Sequence, residues 1–521
     1  MPDTLAAVVG NGQIADALLY DPPQVFAIGL APVASAPFPN GNTLIVITAT
    51  VACWFTVGGT AAKATAGSDY LAAGVKWKLK IPAGATLSIV ADSTIGYVAI
   101  APAVNSASPA AVSIAAPDLN VPLLDGSQLP AGWSFTRGTV GTYFDNTGTL
   151  QTAAVNVARY DYDPASLLPK GLLRESQVAN QIRNNSMVGA VVGTPGTLPT
   201  NWSYLNLRGL TSSIVDTATV NGIFTIAIRF NGTPTSSGSV QIALDTSTQI
   251  AGSNGQTWTI SEFLAIAAGN MSNISGVYPS YNENTAGGGF LTAHLPVPAF
   301  VAISTTLTRF NFSATNTNAS TAVLWPFVNF GVTNGLPVDI TLRIGMPQLE
   351  LGAFASSVIA TSGVAVTRQI ESITFSGGGA VNPAQGTILC EFDYGSGDQS
   401  AVAQVPLILW DGTNNNRIAL RADVAAFSSQ VTVSTVNLAF LTMQPKPVFT
   451  GFGPHPVKIA HSYGPAGHSA ATLGVLATAS SVAVPLGLSA FTVGAYTGWL
   501  RRIAYWATPF TPAQLQALTV Y

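Results

Sequence analysis

Val338-Asp339-Ile340-Thr341-Leu342-Arg343-Ile344 decides the fold class of this 521-residue chain. Apolar and polar residues alternate there without an error, the period of a strand with one face buried and the other wet. Phe224-Thr225-Ile226-Ala227-Ile228-Arg229-Phe230 again places its apolar side chains on one face. Half-buried strands of this kind belong to antiparallel sheets. Their spacing among turn residues predicts a β-sandwich or jelly roll over residues 186–370.

Working outward, residues 371–521 carry strand-like runs at 386–394, 406–411, 416–422 and 498–507. Near the end, Thr511-Pro512-Ala513-Gln514-Leu515 reads as an N-cap followed by proline at the first helical position, so a short terminal helix is expected. Toward the amino end, Val75-Lys76-Trp77-Lys78-Leu79-Lys80-Ile81 alternates apolar residues with lysine, and lysines on a strand discourage unwanted edge pairing. Pro82-Ala83-Gly84-Ala85-Thr86 then turns into a strand at 87–90. An Ala/Pro/Ser-rich linker occupies residues 101–117. The expected fold is all-β, with several β-sandwich or jelly-roll domains in tandem and a short C-terminal helix. The expected domains are an N-terminal sandwich at 1–103, a linker and irregular connector at 104–185, a jelly roll at 186–370 and a second sandwich at 371–521.

Charged residues make up only 8% of the chain against the usual quarter, so Ser, Thr, Asn and Gln must supply the polar surface. Disorder is not expected of so apolar a composition. A net charge of −3 gives no electrostatic footprint for nucleic acid. The mean hydropathy of +0.38 draws attention to the uncharged stretch at 469–500. Glycines, serines and Pro485 break that stretch into strand-length bursts, so membrane insertion is not expected. Met1-Pro2-Asp3-Thr4 lacks the basic segment of a secretory signal. Cys53 and Cys390, in separate domains and in strand contexts, read as buried core thiols rather than a disulfide. They agree with folding in a reducing cytoplasm.

Several further stretches carry a resemblance. Arg159-Tyr160-Asp161-Tyr162-Asp163-Pro164, followed by Gly171-Leu172-Leu173-Arg174-Glu175, resembles a junction of tailed-phage fibre and head-spike proteins. That junction runs close to PRxDYDPxxxxxxGLLIE, so the Ile-Glu has become Arg-Glu here. Trp133-Ser134-Phe135-Thr136-Arg137-Gly138-Thr139 is similar to its lead-in. Pro347-Gln348-Leu349-Glu350-Leu351-Gly352-Ala353-Phe354-Ala355-Ser356-Ser357 and Ala365-Val366-Thr367-Arg368 resemble the ending of carbohydrate-binding jelly rolls in virion proteins. Trp499-Leu500-Arg501-Arg502-Ile503-Ala504-Tyr505-Trp506 looks like the end of concanavalin-like, laminin-G-type lectin domains. Pieces near Trp54 and Tyr70 look like small sandwiches that dock fibres to particles. The resemblance implies a virion structural protein assembled in the host cytoplasm, a fibre or spike that contributes to adsorption on host surface polysaccharide. It implies other virion proteins as partners and, by analogy with fibres, a homo-oligomer, taken as a trimer. A purely structural decoration protein and a polysaccharide depolymerase are the competing classes. No fixed-period repeat of a β-helix depolymerase is visible.

Sugar-binding sandwiches set aromatic faces against the sugar ring and satisfy hydroxyls with amides and carboxylates. The candidates are Trp202, Tyr204, Trp258, Tyr281, Glu283 and Trp325 in the third region, with Asn282 and Asn284 beside Tyr281. Trp410, Asp411 and Asn414 are the candidates in the fourth. Core packing is the competing role for every aromatic, and a hairpin turn for Asp411-Gly412-Thr413-Asn414. No enzymatic activity is expected. A glycosidase needs two carboxylates flanking the bond, and only Glu391-Phe392-Asp393 offers a suggestive pair. The histidines show no metal spacing, and no cofactor is called for. Asp161 and Asp163 together offer oxygens to a Ca²⁺ ion, although Asp163-Pro164 reads better as the start of a turn.

Overall fold

The computed structural model describes residues 112–520 apart from 127–128, 297–302, 377–379, 395–403, 424–427, 436–439, 444–456 and 480–482. Before them it describes strand segments between residues 24 and 102. The amino-terminal Met1-Pro2-Asp3-Thr4, the turn at 82–85 and residues 103–111 of the linker lie outside the described residues. The described residues are all-β with one short helix. It divides into two compact units, Met1–Val112 and Ser113–Tyr521.

The first unit holds two four-stranded antiparallel sheets. One contains the lysine-bearing strand Lys76–Ile81 paired with Thr43–Ala49. In the other, Cys53–Gly58 pairs with Thr86–Ala91, and Cys53, Phe55, Leu87 and Ile89 are fully buried. Cys53 is thus the core thiol its context suggested, and burial pushes its pKa up to about 11.

In the second unit the alternating stretches form adjacent antiparallel strands, Ile223–Gly232 against Val338–Leu351. Val338, Ile340, Leu342 and Ile344 are buried, as are Ile226, Ile228 and Phe230. On the opposite face Asp339 pairs with Arg229 at 2.8 Å. These strands belong to a five-stranded sheet that packs against a second sheet ordered Ser203–Leu205, Gly238–Ala243, Val323–Val332, Ile274–Asn284 and Phe290–His294. Phe230 and Phe330 meet between the sheets, ring centroids 4.9 Å apart. This is the middle sandwich.

The remaining strands build a larger sandwich. One sheet runs Trp133–Thr136, Ser372–Phe375, Ala490–Thr492, Gln404–Trp410, Arg417–Asp423, Ser428–Ser434 and Phe440–Met443. The other contains Arg159–Tyr162, Pro169–Arg174, Gly498–Trp506, Gly386–Tyr394 and Val457–Gly464, and Leu119–Pro122 also pairs with Gly498–Trp506. Residues 104–185, read from sequence as an irregular connector, therefore supply strands to both sheets. Trp133, Phe135, Tyr160 and Leu172 share one core with Phe392, Ile459 and Ile503. These strands are four to six residues long and interrupted by turns, too short for their alternation to stand out.

The middle sandwich is thus an insertion within the larger one. Chain enters and leaves it through a two-stranded ribbon, Val178–Asn180 paired with Val366–Arg368. Pro512–Thr519 is the expected helix, with Thr511 and Gln514 closing a reciprocal capping box and Leu515 buried against Leu389 and Trp506. The stretch at 469–500 contains strands rather than a helix, and no helix among the described residues is long and apolar enough to cross a membrane.

Candidate functional site

The residues quoted for the phage-like resemblance converge on one buried charge cluster beside the ribbon. Arg159, fully buried, lies 2.8 Å from Glu175 and 2.6 Å from Glu371. Arg137 meets Glu371 at 2.8 Å and Arg368 meets Glu175 at 3.1 Å. Ser357 donates to Glu175 from its backbone N–H and hydroxyl, and Ser356 does the same for Glu350. Burial pushes the Glu175 carboxyl up, but Arg368, Arg159 and Ser357 outweigh it and hold it at about 2. Arg174, at the departure from the usual motif, donates to the Tyr496 carbonyl. Every carboxylate here is paired, so the cluster holds structure together.

A cavity of ≈ 610 Å³ opens beside it, between the two sandwiches. Its ionisable groups are also engaged. Asp161 accepts from Phe144 N–H at 2.8 Å and Trp499 Nε1 at 2.9 Å, and Lys170 lies 3.6 Å from it with its ammonium 3.5 Å from the Trp499 ring centroid. Asp163 separately receives the backbone N–H groups of Ala165 and Ser166, as the turn reading requires. Among the described residues no three His, Cys, Asp or Glu side chains gather as a metal site.

A smaller groove of ≈ 420 Å³ differs in kind. It lies on the outward face of the middle sandwich's second sheet, where strand alternation presents Gln241, Asn282, Asn284, Trp325 and Asn329. Gln241 is opposite Asn329 across one strand pair, and Asn282 is opposite Trp325 across the next. Trp325 is half-buried, its Nε1 donating to the Asp245 carbonyl at 2.7 Å, and its ring packs 4.8 Å from Phe327. Phe290, 64% exposed, stands at the rim. Asn284 and Asn329 are each only 1% exposed. Asn284 leaves both its amide oxygen and nitrogen without a hydrogen-bond partner, and Asn329 leaves its oxygen so. An unpaired buried polar group costs about 1–3 kcal/mol, and such groups are rare unless something is meant to meet them.

The same alternation divides the sequence candidates. Tyr281 and Glu283 point inward while Asn282 and Asn284 point outward. Tyr281 is fully buried, and its hydroxyl donates to the Ala314 carbonyl at 2.8 Å. Glu283 is also fully buried and organises the loop at 317–321, accepting from Thr317 N–H at 2.8 Å, Asn318 N–H at 3.0 Å and the Thr321 hydroxyl. His294 Nε2 lies 2.5 Å from the same carboxylate. Burial pushes Glu283 up, but these bonds outweigh it and hold its pKa at about 2. Trp202 and Trp258 are core residues, 7% and 3% exposed, and Tyr204 packs edge-on against Phe230. The Trp202 and Trp258 rings cannot present a face to a sugar, while Tyr204 is half-buried outside the groove. Of the third-region aromatics proposed, Trp325 is the one that lines the groove.

In the larger sandwich, Trp410 is half-buried at a strand end, and Asp411 builds the hairpin loop. Its carboxylate accepts from Thr413 N–H at 2.7 Å and Asn416 Nδ2 at 2.8 Å, while exposed Asn414 accepts from Arg417 at 2.9 Å. The turn reading of this cluster is the one observed. Glu391 and Asp393 pair with Arg502 at 3.4 Å and Arg501 at 3.1 Å. His461 and His468 stack within the core, ring nitrogens 3.1 Å apart, and burial holds His461 well below the usual histidine range. Arg208, Asn206 and Gln241 in the groove were not singled out from sequence. The left-handed backbone at Asn206 and Arg208 that places them there leaves no local signal.

No protein-family model and no curated protein matches the chain. Among solved structures, it is similar to the CBM40 of the Ruminococcus gnavus IT-sialidase, at 16% identity and a TM-score of 0.23, covering 27% of this chain and 84% of that one. The same CBM40 bound to α2,3-sialyllactose matches at 17% identity and a TM-score of 0.23, over 26% of this chain and 83% of that one. The N-terminal CBM22-1–CBM22-2 tandem of Paenibacillus barcinonensis Xyn10C matches at 9% identity and a TM-score of 0.22, over 64% of this chain and 97% of that one.

Proposed function

We propose that the protein binds glycans in the groove on the outward face of the middle sandwich, without cleaving them. The observation that carries this is the set of buried, unpartnered amide atoms of Asn284 and Asn329 beside the Trp325 ring. Amides are both donors and acceptors, which suits hydroxyls, and an aromatic ring suits the apolar face of a sugar. No carboxylate lines the groove among the described residues, whereas glycoside hydrolysis needs two. The resemblance of the ribbon motifs to phage fibres and head spikes supports a finer reading. In it the chain is a virion structural protein, a trimeric fibre or spike held to other virion proteins and adsorbing to host surface polysaccharide. Copies repeated on a particle would turn weak sites into avid attachment.

Binding of fluorescently labelled full-length protein to host cells, before and after removal of their surface polysaccharide, tests this. Saturable binding lost on stripping, and reduced at least tenfold by Trp325→Ala or Asn329→Ala with unchanged far-UV circular dichroism and thermal midpoint, is the expected result. Binding that survives both stripping and substitution overturns the groove assignment. Absence of binding to any cell or glycan returns the protein to the decoration class, and release of reducing ends to the depolymerases.

A further inference from the structure

Arg208 is the one charged residue lining the groove among the described residues. Its guanidinium is placed rather than free to wander. Nε donates to the Ser239 carbonyl at 3.1 Å, and the backbone carbonyl of Arg208 accepts from Thr235 N–H at 2.9 Å. The guanidinium lies against Gly238, where a Cβ would come within 2.9 Å of Nη2 and 3.0 Å of Cζ. Any other residue at 238 would push the cation away. Arg208 itself holds a left-handed φ of +56°, and Asn206, two residues earlier and also in the groove, holds +58°. Such conformations are disfavoured for residues other than glycine and cluster at sites where a side chain must be aimed.

No carboxylate of the described residues pairs with this cation, and none lines the groove to neutralise it. By contrast Arg183, Arg229 and Arg343 of the same sandwich each hold an aspartate, at 2.5, 2.8 and 2.8 Å. A guanidinium presents paired N–H donors that match a carboxylate in two parallel bonds. Asn206 and Gln241, bonded to each other at 3.1 Å, the unpaired amide of Asn284 and the unpaired amide oxygen of Asn329 then remain for hydroxyls.

We infer that the groove selects acidic sugars, with Arg208 receiving the carboxylate of a uronic or nonulosonic acid residue. The inference rests on the glycan reading above and narrows it. The selection follows from charge: a neutral sugar leaves the cation without a counter-charge, whereas a carboxylated one supplies it within the groove.

The test is binding of the full-length protein to paired glycans, each acidic oligosaccharide beside its carboxyl-reduced or methyl-esterified form, at two salt concentrations. We expect the carboxylate member of the bound pair to be preferred at least tenfold, with the preference weakening as salt rises. Arg208→Gln should erase the preference while Arg208→Lys keeps part of it, and thermal midpoints should confirm that both variants fold. Equal binding of both members, still abolished by Trp325→Ala, overturns the acidic-sugar inference and leaves the glycan reading standing. Failure of every glycan to bind overturns both. A preference for the acidic member that survives Arg208→Gln in a folded protein overturns the role given to Arg208.

Discussion

Glu262 shares its sheet face with Ile260, Leu264 and the cross-strand Phe310, fully buried, and neither carboxyl oxygen has a hydrogen bond. Burial alone pushes its pKa well above 4.5, so above that pH the folded protein holds a proton that the unfolded chain gives up. Unfolding lets it ionise, and its burial therefore costs more as pH rises above 4.5. Glu262→Met should raise the stability of the full chain at pH 7 by about 1–3 kcal/mol in urea titrations, and should flatten the decline above pH 4.5. An unchanged midpoint would mean that the carboxyl finds a partner. The period of two through Ile260, Glu262 and Leu264 sends Glu262 inward, but that no donor meets it there is decided by the neighbouring strands and leaves no signal in the sequence. The same period would have separated Tyr281 and Glu283 from Asn282 and Asn284 had it been applied to the candidate cluster. Trp325 was legible as an aromatic and became a site residue only when the sheet set amides beside it.

At the level of elements, the strands that carry long alternation were legible and those of the connector were not. Leu119–Pro122 and Arg159–Tyr162 have four residues each, and what fixes them is pairing with Gly498–Trp506 and Pro169–Arg174, far away or across a bulge. The ribbon motifs were recognised before their purpose was. Their purpose is electrostatic: the Arg159 guanidinium bridges the carboxylates of Glu175 and Glu371. Removing one partner of a buried ion pair strands the other, at about 3–5 kcal/mol. Arg159→Met should therefore destabilise the chain by that order, while Arg229→Met, on the exposed Asp339 pair, should leave the urea midpoint nearly unchanged. Glu175 adds a pH dependence of opposite sign to that of Glu262. Its stabilisation is present above 4.5 and lost as pH falls toward about 2, so Glu175→Gln should shallow the acid limb of a stability profile. An acid limb of unchanged slope would contradict the pairing.

For the second unit as a whole, sequence suggested domains in a row, whereas one sandwich is inserted within another. Residues 371–521 expressed alone lack Trp133–Thr136, Pro169–Arg174 and Leu119–Pro122, and should fail to fold. The discontinuous sandwich should still fold, less stably for the loss of the Ser357 donors to Glu175, when residues 185–361 are replaced by a short turn, because the isolated bridge between Asn184 and Ser362 already brings the two cut ends together. Circular dichroism and limited proteolysis of the two products would decide. A stable 371–521 fragment, or a deletion product that remains unfolded, would refute the insertion. Linear reading missed it because nothing in the chain marks that Ser372–Phe375 rejoins a sheet begun at Trp133–Thr136.

The ribbon Val178–Asn180 with Val366–Arg368 also bears on how such a protein diversifies. Both ends of the inserted sandwich emerge side by side on one stub, so an exchange at these two points replaces the entire inserted sandwich. The host sandwich keeps its strand pairings through such an exchange. A new insert needs only to present two antiparallel strands, together with Arg368 for the buried cluster and the loop that carries Ser356 and Ser357. The short sequences that flank the insertion then mark the two points at which such an exchange leaves the host sandwich intact.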